Sequence, residues 1–115
     1  MTQATIDRAT FEALQASTGG NFVRELVETF LAEAPGMLED LRDALAKGDG
    51  ARFRRAAHSL KSNGNTFGAH ALGALARNLE LGGLEPVREA MGAPLDALAA
   101  EYRRVAEALT ELTRA

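Results

Sequence analysis

The sequence has no cysteine and no tryptophan, and aromatic residues make up only 5% of its 115 residues. Without cysteine, the chain can form neither disulfides nor thiolate or cysteine-based metal sites. With so few aromatic residues, the core must consist of Leu, Ala, Val and a few Phe, and Ala and Leu favour helices. The apolar fraction of 46% is typical of a folded chain, so composition alone predicts a small all-α protein.

The sequence also lacks any run of about 18 apolar residues, the length needed to span a membrane. Its N-terminus has neither the basic start nor the apolar stretch of a signal peptide. We therefore expect a cytoplasmic protein that does not contact a membrane. The net charge of −3 argues against nucleic acid as a partner. The length suits one domain over residues 1–115, and a monomer is the simplest expectation.

This mildly acidic sequence has one long stretch without acidic residues. No Asp or Glu occurs from Ala51 to Asn78. The same stretch contains five basic residues, Arg52, Arg54, Arg55, Lys61 and Arg77. A local basic patch can attract an acidic partner or hold a phosphate. The alternative is a chance cluster of charges on a solvated helix.

The first half of the chain predicts a short helix followed by a long one. The short helix covers about residues 7–17, with Thr5 or Asp7 as its cap. The long helix begins near Asn21 as N-cap, and Pro35 should kink it rather than end it. Its apolar face consists of Phe22, Val23, Leu26, Phe30, Met37, Leu38, Leu41 and Leu45.

Three further helical regions follow after Gly48. The third helix covers roughly residues 50–66 with Asp49 as its cap, and the fourth lies between Gly68 and the glycine pair 82–83. The last region begins near Pro86, and whether it breaks at residues 92–94 stays open. Its apolar stripe is Met91, Leu95, Leu98, Tyr102, Val105, Leu109 and Leu112. Four long amphipathic helices with short connections predict an up-down-up-down antiparallel four-helix bundle, which the short extra N-terminal helix caps at one end.

The third helix separates cleanly into an apolar and a polar side when its residues are placed at about 100° intervals. The apolar side contains Phe53, Ala56, Leu60 and Phe67, with Ala57 and Gly64 at its edge. The polar side contains Ala51, Arg54, Arg55, His58, Lys61, Ser62 and Asn65. His58 is at the centre of the polar side, so we expect its imidazole to be exposed.

The neighbours of His58 suit a histidine that accepts a phosphoryl group. Such a histidine needs an accessible neutral ring, a nearby cation and small neighbours that let a partner protein approach. Lys61 lies three residues on and supplies the cation on the same face. Ser62 and Asn65 follow on that face and are small or modest in size. Two more cations lie one turn earlier, Arg54 and Arg55.

The fourth helix offers a group that could orient the imidazole. If the third and fourth helices run antiparallel about a turn near Ala69, residues 58 and 80 lie opposite each other, eleven residues from that centre on either side. Position 80 is Glu80. Its carboxylate could accept the imidazole N–H, fix the tautomer and raise the nucleophilicity of the other nitrogen.

The segment from Ala57 to Ala69, followed by Leu72, Leu75, Leu79 and Glu80, resembles the signature of histidine phosphotransfer (HPt) domains. The matching features are a histidine, a lysine three residues on, a small residue four on, and Gly-Ala ten and eleven on. One departure is Ser62, where the family commonly has glycine. The resemblance covers roughly residues 22–112 and implies the four-helix bundle fold.

The resemblance also implies a function and its partners. His58 would be the phosphoacceptor, with Lys61, Glu80 and Ser62 beside the phosphate. Receiver domains of response regulators and a hybrid histidine kinase would be the partners. Such a protein is a phosphoryl carrier rather than a self-contained enzyme, and it needs no cofactor, metal or ATP site. Three residues would contact the partner, Arg54, Arg55 and Asn65.

Other functions are weaker interpretations of the same sequence. The bundle could be an adaptor that binds signalling partners without using His58. It could be the donor domain of a histidine kinase, although no ATP-binding segment is present and Met1 argues against an excised fragment. An enzyme with His58 as general base would need a nucleophile or oxyanion arrangement that the sequence lacks. His70 we expect to be structural or simply exposed, and two histidines in unlike settings do not make a zinc site.

Overall fold

The computed structural model describes residues 5–114, so residues 1–4 and 115 of the predicted single domain lie outside the described part. Within residues 5–114 the chain is all-helical, which confirms the predicted fold class. The six helices are α1 (Arg8–Thr18), α2 (Gly20–Lys47), α3 (Gly50–Thr66), α4 (His70–Gly82), α5 (Leu84–Glu89) and α6 (Ala93–Leu112). No helix in this range is long and apolar enough to cross a membrane.

The four long helices form the predicted bundle. Each of α2, α3, α4 and α6 packs against two others, so that together they enclose a single core. The connections from α2 to α3 and from α3 to α4 are so short that consecutive helices must run antiparallel. Within the core, the centroid of the Phe30 ring lies 5.5 Å from the ring centroid of Phe67 and 6.0 Å from that of Tyr102.

Capping explains where two of the helices begin. The Asp7 side chain accepts the N–H of Ala9 at 3.2 Å and starts α1, and Asp49 accepts the N–H of Arg52 at 3.1 Å and starts α3. The predicted N-cap of α2 at Asn21 is wrong, because α2 already begins at Gly20. Gly19 makes the earlier start possible, since its φ of 93° turns the chain directly from α1 into α2.

The last helical region is broken, which answers the question that the sequence left open. Met91 (φ 56°) and Gly92 (φ 80°) are both in left-handed conformations between α5 and α6. The N–H of Gly92 bonds back to the carbonyl of Val87, which closes α5. Pro94 then lies in the first turn of α6, where its missing N–H costs nothing. Pro35, by contrast, does not end α2, as predicted, because the helix continues through it to Lys47.

Two residues that the sequence placed in the core are exposed. Met91 is 94% exposed because it lies in the turn between helices, outside the helical stripe to which it was assigned. Phe22 is 49% exposed, and its neighbour Val23 takes the buried position in the first turn of α2. The other members of the two predicted apolar faces are buried or pack against the core.

Candidate functional site

His58 lies on the outer face of α3, and 57% of its side chain is exposed. The opposite face of the same helix is buried, with Phe53, Ala57 and Leu60 each at 0% exposure. The predicted division of α3 into a core face and an accessible face is therefore present in the structure. An incoming protein can reach the imidazole of His58 without any rearrangement of the bundle.

The structure brings His58, Lys61 and Glu80 together. Oε2 of Glu80 lies 2.8 Å from Nδ1 of His58, and Oε1 of the same carboxylate lies 2.8 Å from Nζ of Lys61. Glu80 thus bridges the imidazole and the ammonium group. The side chains of Lys61 and Glu80 are only 26% and 23% exposed, so this bridge between α3 and α4 is largely shielded from solvent.

The tight turn between α3 and α4 sets this register. The N–H of Ala69 bonds to the carbonyl of Gly64 at 2.8 Å. Glycine at 64 favours this close approach, since a Cβ there would lie only 3.3 Å from the Ala69 carbonyl oxygen. A Cβ at Gly73 would collide with the side chain of Asn65. Small residues therefore let α3 and α4 lie close enough for Glu80 to reach His58.

The two contacts of Glu80 favour its ionised form. The hydrogen bond from Lys61, and then that from His58, hold the pKa of the Glu80 carboxyl below its usual value, against an opposing effect of burial. An ionised carboxylate can only accept hydrogen bonds, so Nδ1 of His58 must be the donor. In a neutral imidazole the proton on Nδ1 leaves Nε2 with a free lone pair. The geometry thus presents Nε2 as a nucleophile.

The predicted partner-binding residues differ in their surroundings. Ser62 and Asn65 are exposed on the face of His58, and Asn65 also places Oδ1 3.2 Å from a ring nitrogen of His70. Arg54 and Arg55 are exposed, and neither forms an ion pair within residues 5–114. The guanidinium of Arg54 packs against Gly83, where a Cβ would lie only 2.9 Å away.

Arg52 does not contribute to the basic patch that the sequence suggested. Its guanidinium pairs with Asp40 at 2.6 Å and also with Asp43 on α2. These contacts raise the pKa of Arg52 and lower that of Asp43, whose strongest partner is Arg52. Arg52 therefore links α3 to α2, and its charge is already balanced.

His70 has a different environment from His58. Its Nδ1 lies 3.2 Å from Oδ1 of Asn65, and its Nε2 lies 3.4 Å from Oγ1 of Thr10 and 3.5 Å from Oδ2 of Asp7. Both ring nitrogens thus face polar groups of the protein. No group of three His, Asp or Glu side chains among the described residues is arranged to hold a metal ion.

Sequence reasoning did not single out Leu81, which is 68% exposed directly after Glu80. Leu81 thus adds apolar surface next to the position of Glu80 on α4. A sequence signal did exist, because Leu81 falls outside the apolar stripe of Leu72, Leu75 and Leu79 on the same helix.

Comparison with known proteins identifies a family and a protein of similar fold. The Hpt domain family matches residues 25–114, a range that includes His58, Lys61 and Glu80. Among solved structures, histidine-containing phosphotransfer protein B (HptB) from Pseudomonas aeruginosa PAO1 superposes with a TM-score of 0.83 at 23% identity. The match covers 98% of this chain and 97% of that one, which establishes a shared fold. No curated protein gives a significant match.

Proposed function

Because this chain belongs to the Hpt domain family, we propose that it is a phosphoryl carrier of a two-component phosphorelay with His58 as its phosphoacceptor. The observation that carries this proposal is the contact of Nδ1 with the Glu80 carboxylate, 2.8 Å away, on a histidine that is 57% exposed. This contact holds the ring in one tautomer and leaves Nε2 free. His70 is unsuitable because both of its ring nitrogens face protein groups.

The proposed reaction needs no cofactor on this chain. Nε2 of His58 attacks the phosphorus of an aspartyl phosphate in a receiver domain, the N–P bond forms, and the P–O bond to the aspartate breaks. The aspartate carboxylate leaves with the electron pair of that bond. Delivery to a second receiver is the reverse sequence with a new aspartate. The metal ion and the acidic pocket belong to the receiver.

The charges around His58 support receiver domains as partners. Arg54 and Arg55 are exposed beside the histidine without an ion-pair partner in the described chain, and Glu80 is the acid nearest to the imidazole. Positive side chains suit the acidic surface of a receiver. Leu81 adds apolar area at the margin. A hybrid histidine kinase, through its own receiver, would be the upstream donor. We also propose a single cytoplasmic, monomeric domain over residues 1–115.

Transfer from phosphorylated receiver domains tests the proposal. We expect label from a phosphorylated receiver of the source organism to move to this chain as an acid-labile, base-stable phosphate. The label should be lost in His58→Gln and kept in His70→Gln, which controls for general effects of removing a histidine. Label that persists in His58→Gln, or no label from any receiver, would contradict it. Partner effects that survive in His58→Gln without transfer would instead favour the adaptor function.

A further inference from the structure

The basic residues of the acid-free stretch fall into two groups in the structure. Arg52 and Lys61 are ion-paired with acidic residues of α2 and α4. Arg54, Arg55 and Arg77 are exposed, and none of these three forms an ion pair within the described chain. The positive charge that this stretch can offer to a partner is therefore the charge of the three arginines.

Two contacts between α3 and α4 show on which side of α4 Arg77 lies. Oδ1 of Asn65 is 3.2 Å from Nδ1 of His70, and Oε2 of Glu80 is 2.8 Å from Nδ1 of His58. Both contacts join the polar face of α3 to the side of α4 that borders it. Arg77 lies seven residues after His70 and three before Glu80, and these spacings keep residues on one side of a helix. Its exposed side chain therefore borders the face that carries His58.

Arg54 and Arg77 lie on opposite sides of His58 along the line where α3 and α4 meet. A Cβ at Gly83 would lie 2.9 Å from a guanidinium nitrogen of Arg54, so Arg54 is beside the C-terminal end of α4. Arg77 precedes Glu80 on α4 by three residues, a rise of about 4.5 Å in the other direction. A partner centred on His58 thus meets a cation of α3 on one side and a cation of α4 on the other.

Charges on two sides of a reactive group affect orientation as well as attraction. A partner that paired only with cations of α3 could still rotate about the imidazole of His58. A cation on the second helix opposes this rotation, because charge pairs at separate points fix the register of two surfaces. Phosphoryl transfer requires a defined orientation, since the attacking and leaving atoms must lie roughly in line with phosphorus.

We infer that Arg77 is a specificity-determining residue for docking: its guanidinium pairs with a carboxylate on the receiver surface and, together with Arg54, fixes the orientation of the receiver over His58. This inference rests on the proposed function. It states a requirement for the partner, which must carry an acidic side chain opposite α4. A receiver with a basic side chain at that place meets repulsion and is a poor partner.

Charge changes at Arg77 in the full chain test the inference. With a phosphorylated receiver of the source organism as donor at low salt, we expect Arg77→Glu to lower kcat/KM for transfer about tenfold and Arg77→Gln about threefold, because reversal adds repulsion to the lost attraction. Most of this loss should disappear at about 0.5 M salt, where exposed charges are screened. Arg103→Glu is the matched control, since Arg103 is exposed without an ion pair in the described chain and lies on α6, which packs against α2 and α4. Equal losses in Arg77→Glu and Arg103→Glu would overturn the inference.

Phosphoramidate as a second donor separates docking from the reactivity of His58. This small molecule has no surface that could pair with Arg77, so Arg77→Glu should lose far less of its rate with phosphoramidate than with the receiver. Comparable losses with both donors would contradict a role in docking. If no receiver phosphorylates the wild-type chain, the proposed function fails. If a receiver does so and ignores the charge at position 77, the inference alone fails.

Discussion

The two histidines have similar exposure but different hydrogen-bond partners. His58 and His70 are both about half exposed, with 57% and 45% of their side chains accessible. His58 has one nitrogen bound to Glu80, whereas His70 has polar groups at both nitrogens. The two imidazoles therefore differ in their partners rather than in exposure, and we expect reactivity to follow that difference.

Sequence reasoning could find the pair of His58 and Glu80 because both residues lie at equal distances from the turn. It also placed Lys61 on the same face of α3 as His58, because residues three apart in a helix lie on one face. It could not foresee that Lys61 would contact Glu80 at 2.8 Å. A lysine side chain has many rotamers, and the choice among them depends on groups from the neighbouring helix.

Glu80 should make the stability of the protein depend on acid. Its pKa is below the ordinary value of 4.5 because of the contacts with Lys61 and His58. A carboxyl with a lowered pKa stabilises the fold fully above its ordinary pKa, and this contribution is lost as the pH falls through the lowered value. We therefore expect wild-type protein to lose stability more steeply below pH 4.5 than Glu80→Gln does.

Urea unfolding at a series of pH values between about 6 and about 3 measures this difference. Glu89→Gln is the control, because Glu89 is exposed and has no ion pair within the described chain. The free energy of unfolding of Glu89→Gln should fall with decreasing pH as steeply as that of the wild type. If the free energy of unfolding of Glu80→Gln fell in parallel with that of the wild type across the acid range, Glu80 would not contribute to the acid dependence of stability.

At the scale of helices, the sequence predicted α3 with its observed bounds, placed the start of α2 wrongly and left open whether the chain breaks before α6. The start of α3 was predictable because Asp49 is a strong capping residue followed by a clear apolar pattern. The start of α2 and the break before α6 depend instead on glycines with positive φ, Gly19 and Gly92. A glycine is compatible with several backbone conformations, so its position in the sequence does not show which one the fold selects.

Gly68 is the glycine on which the attachment of α1 depends. Its φ is 88°, and a Cβ there would lie 2.8 Å from the carbonyl oxygen of Asp7, just before α1. We expect Gly68→Ala to cost about 2–4 kcal/mol of unfolding free energy, from the left-handed backbone and the collision together. Gly92→Ala is the matched control, because its φ is 80° and nothing lies within 4 Å of its Cβ position. Strain alone should then cost about 1–2 kcal/mol.

Thermal or urea unfolding of the two alanine variants separates strain from collision. In Gly68→Ala, faster amide hydrogen exchange in α1 should accompany the loss of stability, since the N–H of Asp7 donates to the carbonyl of Gly68 at 2.9 Å. Equal stability of the two variants would mean that α1 moves aside at little cost.

At the scale of the whole molecule, the buried core holds α3 in place while its other face stays open. Phe53 is 0% exposed and lies on the helix that carries His58, whereas Phe22 is 49% exposed on α2. Phe53→Ala should cost about 3–5 kcal/mol, because it removes buried area and leaves a cavity. Phe22→Ala should cost less than about 1 kcal/mol.

Two independent probes can follow unfolding in these variants. The sequence has one tyrosine and no tryptophan, so fluorescence reports on Tyr102, which is 8% exposed in the core. Circular dichroism reports on the helices. If the bundle unfolds as one unit, the two transitions coincide in both variants. A Phe22→Ala variant as unstable as Phe53→Ala would show that Phe22 is not exposed in solution.

The turn at residues 67–69 is far from the imidazole, yet its distance along α4 from position 80 is part of the site. His58, Lys61 and Glu80 belong to one continuous helical hairpin, and the rest of the chain supplies the core against which it packs. Adding one residue within α4, between the turn and position 80, would move Glu80 by about 100° around the helix axis and carry it away from the histidine. Related genes can therefore lose this site by an insertion that leaves every one of its residues intact.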